Sequence, residues 1–308
     1  MTTSWPQEIA AWQALPLSDL MRQALAVKLD RRGSAVSLCS IINAKSGRCS
    51  EDCRFCVQSA HYQTEAPVYP LKEVGEVVAA AAEARRIGAS HFSLVTSGRG
   101  MPAREMPQIA AMIRAIRQEV GIKVCASLGI LGAPEFAELK AAGLSRYHHN
   151  LESSREFFPR VCTTHTFEER LATIAAARAA GLEVCAGGIF GLGESEDDRI
   201  SMALSLKECG VDSVPLNLLI PLPGTPMAGT APISVAEVLR AIALYRLILP
   251  AVPIRLAAGR ESLLRDFLAA AFLAGADGMM IGGYLTQGGR RPEEDHRFLR
   301  ELAGLWSR

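Results

Sequence analysis

The 308 residues carry almost no net charge: 33 Lys and Arg against 32 Asp and Glu leave +1 at pH 7. So balanced a chain offers no surface for nucleic acid or another polyanionic partner. Arg85-Arg86 and Arg290-Arg291 read as scattered, solvated charges. Long apolar runs are missing too, and no stretch approaches the span of a bilayer. The first residues, Met1-Thr2-Thr3-Ser4-Trp5-Pro6, lack the basic start and apolar core of a secretory signal. A cytoplasmic protein without membrane or nucleic-acid partners is expected, and there thiols stay reduced. The eight cysteines then point to metal or redox chemistry more than to disulfides. No low-complexity tract, long linker or domain boundary is visible. With 49% hydrophobic residues, a sizeable core can be buried.

What is present is alternation. After a helical segment over 7–29, apolar runs over 36–42, 91–96, 123–127, 145–149, 183–188, 213–218, 254–257 and 278–281 read as strands. Between them, alanine-rich patterns over 71–87, 106–119, 134–142, 167–180, 195–209, 235–249 and 262–274 read as helices, and 293–305 as a last one. Glycines 88, 121, 143, 181, 210 and 275 stand where helix C-caps belong. Strict βα alternation implies a parallel sheet with helical crossovers. Eight repeats in about 250 residues match an α/β fold, a single (β/α)₈ TIM-type barrel with an N-terminal helical segment. The alternative, an open doubly wound sheet, should show a glycine fingerprint after its first strand. None is there. The expected organisation is one barrel domain over 1–308, with 1–30 as a helical extension and 43–61 as a cluster-binding loop.

That loop holds Cys49-Ser50-Glu51-Asp52-Cys53-Arg54-Phe55-Cys56, a C-x₃-C-x₂-C run with no fourth cysteine nearby. A four-iron cluster normally takes four thiolates. Three of them leave one iron open to the amine and carboxylate of a small molecule. A zinc loop with His61 as fourth ligand is the simpler alternative, but zinc sites usually show a second Cys or His pair. The loop follows the first strand, at the mouth where such barrels place their active sites.

The motif, with aromatic Phe55 before its last cysteine, resembles that of the radical S-adenosylmethionine enzymes. Over nearly the whole length, the chain resembles the biotin synthase family among them. Further matching stretches are Gln58-Ser59-Ala60, His149-Asn150-Leu151-Glu152, Thr166-Phe167-Glu168-Glu169-Arg170-Leu171, the run from Val184 to Glu194, Ser213-Val214-Pro215-Leu216-Asn217, Arg255-Leu256-Ala257-Ala258-Gly259-Arg260-Glu261 and Pro292-Glu293-Glu294-Asp295. The resemblance implies a 4Fe-4S cluster on Cys49, Cys53 and Cys56, S-adenosylmethionine as cofactor, and an auxiliary iron–sulfur cluster. The last would supply the sulfur inserted into dethiobiotin. It further implies a low-potential electron donor of flavodoxin or ferredoxin type, and a homodimer.

Carried over residue by residue, the resemblance places Phe55, Glu152, Arg170 and the Gly187-Gly188-Ile189 turn at S-adenosylmethionine. Glu152 would bind its ribose and Arg170 would lie near its carboxylate. Position alone leaves a surface charge as the lesser alternative for Glu152 and Arg170, while the Gly187-Gly188-Ile189 turn reads equally as a tight strand exit. Asn150 and Asn217 would hold the ureido ring of dethiobiotin, although Asn150 also suits a turn. Cys125, Cys185 and Arg255 match auxiliary-cluster ligands. The family's third such cysteine falls at Ser93, a departure, whereas Cys39 stands in the first strand. Cys39, Cys125, Cys185 and Arg255 come from strands one, three, five and seven, which share one interior layer in such a barrel. Four ligands there could hold a 2Fe-2S or larger cluster. Cys162 and Cys209 fall outside the layer and read as packing residues. Rival functions are a hydrogenase-maturation or menaquinone-pathway enzyme of the same barrel class and a non-catalytic iron–sulfur electron carrier.

Overall fold

The computed structural model describes residues 6–286 and 288–306. Its strands are β1 (Ser37–Lys45), β2 (His91–Thr96), β3 (Lys123–Ser127), β4 (Arg146–His148), β5 (Glu183–Cys185), β6 (Gly188–Phe190), β7 (Val214–Leu218), β8 (Ile254–Leu256) and β9 (Gly278–Met280). They form one sheet in the order β5-β4-β3-β2-β1-β9-β8-β7-β6, and each neighbouring pair is parallel. β5 and β6 lie at opposite ends of that order, yet only Ala186 and Gly187 separate them in the chain. They are two halves of the expected fifth strand. The sheet therefore curls until its edges meet, and single bridges from Cys185 to Ser213 and from Glu152 to Gly188 stitch the seam. This is the expected TIM-type α/β architecture with one strand broken.

The break has a steric cause. A Cβ on Gly187 would stand 1.9 Å from the Pro215 carbonyl oxygen, and one on Gly188 would stand 2.6 Å from the Glu152 oxygen. Only glycines let the neighbouring backbones close the seam here.

The helices are α1 (Gln7–Gln13), α2 (Leu17–Arg31), α3 (Val74–Arg86), α4 (Met106–Ala115), α5 (Ala133–Ala142), α6 (Phe167–Ala179), α7 (Glu196–Glu208), α8 (Val235–Ile248), α9 (Arg260–Leu264), α10 (Leu268–Leu273) and α11 (Pro292–Gly304). Three expected helices are interrupted. The N-terminal segment divides into α1 and α2, with Pro16 at the N-cap of the second, because proline has no N–H for a helix interior. The pattern over 262–274 divides into α9 and α10 around Arg265, whose φ is 43°. The helix expected over 106–119 ends in a π-turn, Ile116–Val120.

Capping fixes where the helices leave the mouth. Thr166 Oγ1 accepts from the Glu169 amide at 3.2 Å while the Glu169 carboxylate accepts from the Thr166 amide at 2.8 Å. Such a box contributes about 1 kcal/mol and sets the first turn of α6, from which Arg170 projects. Ser195 and Ser234 start α7 and α8 in the same way.

Apolar residues between sheet and helices form one extensive buried cluster. At the N-terminal ends of the strands the barrel is closed by charge. Asp277 accepts from Arg32 Nε at 2.5 Å and from the Ile254 amide at 2.7 Å, and Arg246 Nη2 lies 3.5 Å away. Lys28, fully buried, donates to the Phe272 carbonyl at 2.9 Å and sits 4.8 Å over Trp306.

Candidate active site

β1 ends at Lys45 and the chain runs over the mouth before α3 begins. The loop is tied to itself by backbone bonds from Cys49 to the Gln58 carbonyl (2.9 Å) and from Ala60 to the Cys49 carbonyl (2.7 Å). The buried Gln58 side chain accepts from Ser46 Oγ at 3.0 Å and from the Gly47 amide at 3.3 Å. This frame holds Cys49, Cys53 and Cys56, all free thiols, on one wall of a cavity of about 280 Å³. Burial pushes the Cys49 thiol up and the Cys56 thiol up to about 11. Thiolates here need a positive partner, as a metal cluster would be. His61 takes no part: its Nε2 pairs with the Ser50 carbonyl at 2.9 Å, in an exposed position.

Opposite the thiols stand Asn150, Glu152, Arg170 and Asn217. Glu152 has a φ of 68°, unusual for a residue with a Cβ, and such strain concentrates at functional sites. Burial raises its carboxyl against the pull of Arg170, whose Nη1 is 4.0 Å away. Arg170 also donates to the Asn150 carbonyl at 2.8 Å. Asn150 donates to Glu152 at 3.3 Å and accepts from the Gly187 amide at 3.2 Å. Asn217 donates to the Gly188 carbonyl at 3.3 Å and accepts from the Ala258 amide at 3.2 Å. The broken fifth strand thus anchors both asparagines. A second lobe of about 320 Å³ shares Phe55, Glu152 and Asn217 and adds Ile189 and Tyr284.

Below the mouth, strand periodicity turns Cys39, Ser93, Cys125, Arg146, Ser213 and Arg255 into the barrel, since Ile41, Val95, Ser127, His148, Pro215 and Ala257 two residues on line the cavity. Cys185 lies near enough to feel Cys39, Arg146 and Arg255. Burial raises the Cys39 and Cys185 thiols, and Arg255 and Arg146 oppose it at both. Arg255 Nε donates to Ser213 Oγ at 2.9 Å, while its buried Nη1 has no hydrogen-bond partner. An orphaned guanidinium N–H among buried thiols suits an anionic, sulfur-rich group. Ser93 does not stand alone, because its Oγ is 3.4 Å from His148 Nδ1.

Comparison with known proteins decides between the rivals. A profile described as the Radical SAM superfamily matches residues 44–206, more than half of the chain, and one for the Biotin and Thiamin Synthesis associated domain matches 215–304. The biotin synthase of Pelotomaculum thermopropionicum is 50% identical over 286 residues, covering 93% of this chain and 89% of that one. That of Heliobacterium modesticaldum is 50% identical over 295 residues, covering 96% and 90%. The chain belongs to the biotin synthase family. Among solved structures, methylornithine synthase superposes with a TM-score of 0.82 at 19% identity, over 96% of this chain and 92% of that one. The FeFe-hydrogenase maturase of Carboxydothermus hydrogenoformans gives 0.81 at 22%, over 96% and 77%. Likeness at such identity shows the fold alone. Biotin synthases are radical S-adenosylmethionine sulfurtransferases that use a 4Fe-4S cluster and an auxiliary iron–sulfur cluster, which the two thiol sets of this biotin synthase family member fit.

The structure adds residues that the sequence left aside. Cys162 is more than packing: its Sγ lies 3.1 Å from Asp52 Oδ1, 3.2 Å from His165 Nδ1 and within 4.8 Å of the Cys53 sulfur. His165 Nδ1 is 2.6 Å from Glu51 Oε2, and its Nε2 accepts from Arg170 Nε at 3.1 Å. Burial pushes the Glu51 carboxyl up, but bonds from Thr164, His165 and Ser50 outweigh it and hold the group low. Arg146 reaches the thiol layer from below, paired with Glu183 at 2.5 Å. Period two counted back from Asn150 on the fourth strand would have found both Arg146 and His148. No local signal brings Cys162 to Cys53, which lies 109 positions earlier in the chain. Cys209 keeps its packing reading as a half-buried neighbour of the core.

Proposed function

We propose that this chain makes biotin from dethiobiotin, with the two thiol sets at the two depths of one cavity as the observation that carries the reading. When bound, the 4Fe-4S cluster and S-adenosylmethionine supply a radical that removes hydrogen from unactivated carbon, and the auxiliary cluster supplies sulfur. Cys49, Cys53 and Cys56 would hold the first. Phe55 and the Gly187-Gly188-Ile189 turn would flank S-adenosylmethionine, Glu152 would accept from its ribose hydroxyls, and Arg170 would grip its carboxylate, which a guanidinium can do with two bonds. Each site asparagine uses one N–H and one lone pair on the fold. A primary amide has a second of each, matching the donor and acceptor of a cyclic urea. The barrel wall would keep water from the reacting carbons.

Cys39, Cys125, Cys185 and Arg255 would hold the auxiliary cluster, with Cys39 replacing the thiol that Ser93 lacks. Thiolates suit iron far better than a hydroxyl, and a ligand moved to another strand changes the cluster's shape, so it can be larger than 2Fe-2S. The same reading takes 1–308 as one barrel domain, with 1–30 as its helical extension and 43–61 as the cluster loop, supported by a sheet that draws strands from both family matches. It also takes the chain as a cytoplasmic homodimer served by a flavodoxin- or ferredoxin-type donor; among the described residues no helix is long and apolar enough to cross a membrane.

The test is anaerobic turnover with S-adenosylmethionine and a reductant. Dethiobiotin should raise 5′-deoxyadenosine release, with biotin forming alongside. Cofactor cleavage that ignores dethiobiotin and yields no biotin would overturn the substrate assignment.

A further inference from the structure

Cys53 and Cys162 make an unusual pair. The two sulfurs and His165 Nδ1 lie within 4.8 Å of one another, the tightest thiol cluster of its kind among the described residues. A single metal ion is the first thought for such a group, but the tautomer opposes it. Arg170 donates to His165 Nε2 at 3.1 Å, so Nδ1 carries the proton and points it at Glu51 Oε2, 2.6 Å away. A protonated nitrogen has no lone pair for a metal. What remains is two sulfurs within 4.8 Å of each other, one facing the cavity and one behind it. Cys53 lines the mouth cavity; Cys162 is 3% exposed, held between Asp52 Oδ1 at 3.1 Å, Thr164 Oγ1 at 3.4 Å and His165 Nδ1 at 3.2 Å.

We propose that Cys162 is a resolving thiol for Cys53, and that the two close into a reversible disulfide when the loop has lost its cluster to an oxidant such as hydrogen peroxide. The steps balance. Peroxide transfers one oxygen to the Cys53 thiolate, giving a sulfenic acid and hydroxide. The Cys162 thiol attacks that sulfur, the S–S bond forms, and the sulfenic oxygen leaves as water. Two thiols lose two electrons and the peroxide gains them. Closing from a separation of at most 4.8 Å to a bond of about 2 Å asks the emptied loop to move by less than about 3 Å. Sensor cysteines of this kind sit next to a resolving thiol. Without one, a sulfenic acid goes on to sulfinic and sulfonic acids, which are not reversed by thiols. With Cys162 behind it, a cluster ligand is parked in a reducible form. The proposal goes beyond the biotin reading, because it concerns the protein without its cluster and needs no substrate.

The experiment uses the full chain, purified anaerobically with its cluster and then treated with hydrogen peroxide. Remaining thiols are blocked with N-ethylmaleimide, and an unreduced tryptic digest is read by mass spectrometry. Cleavage after Arg48, Arg54, Lys72, Arg160 and Arg170 places Cys49 with Cys53, Cys56 alone, and Cys162 alone on separate peptides, and fragment ions separate Cys49 from Cys53. A dominant Cys53–Cys162 crosslink that dithiothreitol removes is expected. In Cys162→Ala, Cys53 should instead appear as sulfinic and sulfonic acid, and anaerobic reconstitution with iron and sulfide should restore far less iron than in the treated wild type, with Cys209→Ser behaving as wild type. A Cys162 still carrying N-ethylmaleimide, or a main crosslink within the loop, overturns the proposal. Should Cys162→Ala fold poorly, the wild-type peptide map alone decides. Biotin formation is not read, so failure here leaves the biotin reading intact.

Discussion

The two ends of the barrel handle buried polarity in opposite ways. At the N-terminal end the buried charges of Asp277, Arg246 and Lys28 each face an opposite charge, a carbonyl or an aromatic ring. Asp277 and Arg246 are almost wholly buried and face each other, Arg32 closes the set from outside, and Lys28 adds a carbonyl and two aromatic faces. At the mouth and just beneath it, polar groups are left over. Arg255 Nη1, His149 Nε2 and Asn43 Oδ1 are buried without hydrogen-bond partners, Glu152 has a strained backbone, and three loop thiols face open space. Leaving a buried polar group unmet costs about 1–3 kcal/mol. The closed end balances its buried charges, although Arg246 Nη2 and, at the start of β2, His91 Nε2 also lack hydrogen-bond partners. The open end keeps its unmet groups for something that binds.

The comparison predicts that changes at the mouth destroy chemistry while sparing the fold, and changes at the base do the reverse. The largest effect falls on Cys53→Ala, which should abolish 5′-deoxyadenosine formation with little change in melting temperature; undiminished cleavage would remove the loop from the reaction. Cys39→Ala should lose the auxiliary iron and biotin formation while retaining the first cluster and some cofactor cleavage, read by iron and sulfide counts beside product analysis. Full iron and normal biotin would make Cys39 a packing residue. At the base, Asp277→Ala strands two guanidinium groups and should cost about 3–5 kcal/mol of stability, measured by denaturant unfolding, with residual activity at low temperature. Asn217→Ala should lower kcat/KM for dethiobiotin by roughly tenfold to a hundredfold, the worth of about 1.4–3 kcal/mol, while S-adenosylmethionine binding stays put.

The smallest effect is a pH slope. Burial pushes the Lys28 ammonium down from 10.5 to about 8. Between those values the unfolded chain holds a proton that the folded one has released, so stability rises with pH across that window. Below it, Lys28 costs stability. Wild type compared with Lys28→Met should show this rise as a difference that grows from about pH 8 to 10.5; parallel curves would mean that the lysine titrates alike in both states.

Strands β2 and β3 begin and end where hydrophobic patterning placed them, because short apolar runs between glycine-capped helices have few alternatives. The fifth strand was legible as a run but not as two pieces. Its break depends on the Pro215 and Glu152 backbones, which approach only after the sheet curls. Arg265 likewise divides a helix that alanine and leucine would otherwise continue. In the site, the loop thiols could be read directly, since their spacing is itself the ligand geometry. Glu152, Arg170 and the asparagines were placed by resemblance, and the hydrogen bonds that orient them came from the folded chain.

By itself the sequence determined the alternation of strands and helices, the mouth as the place of the loop and the three-thiol motif, all of which follow from neighbours a few residues apart. It also determined which strand positions face inward, because side-chain direction repeats every two residues. Only the tertiary structure decided which inward residues meet. The pairing of Ser93 with His148, the reach of Arg146 into the thiol layer, the bond from Arg255 to Ser213 and the approach of Cys162 to Cys53 each join segments tens of residues apart. Curling of the sheet and the seating of α6 set those meetings, and no periodicity in the chain encodes the resulting distance.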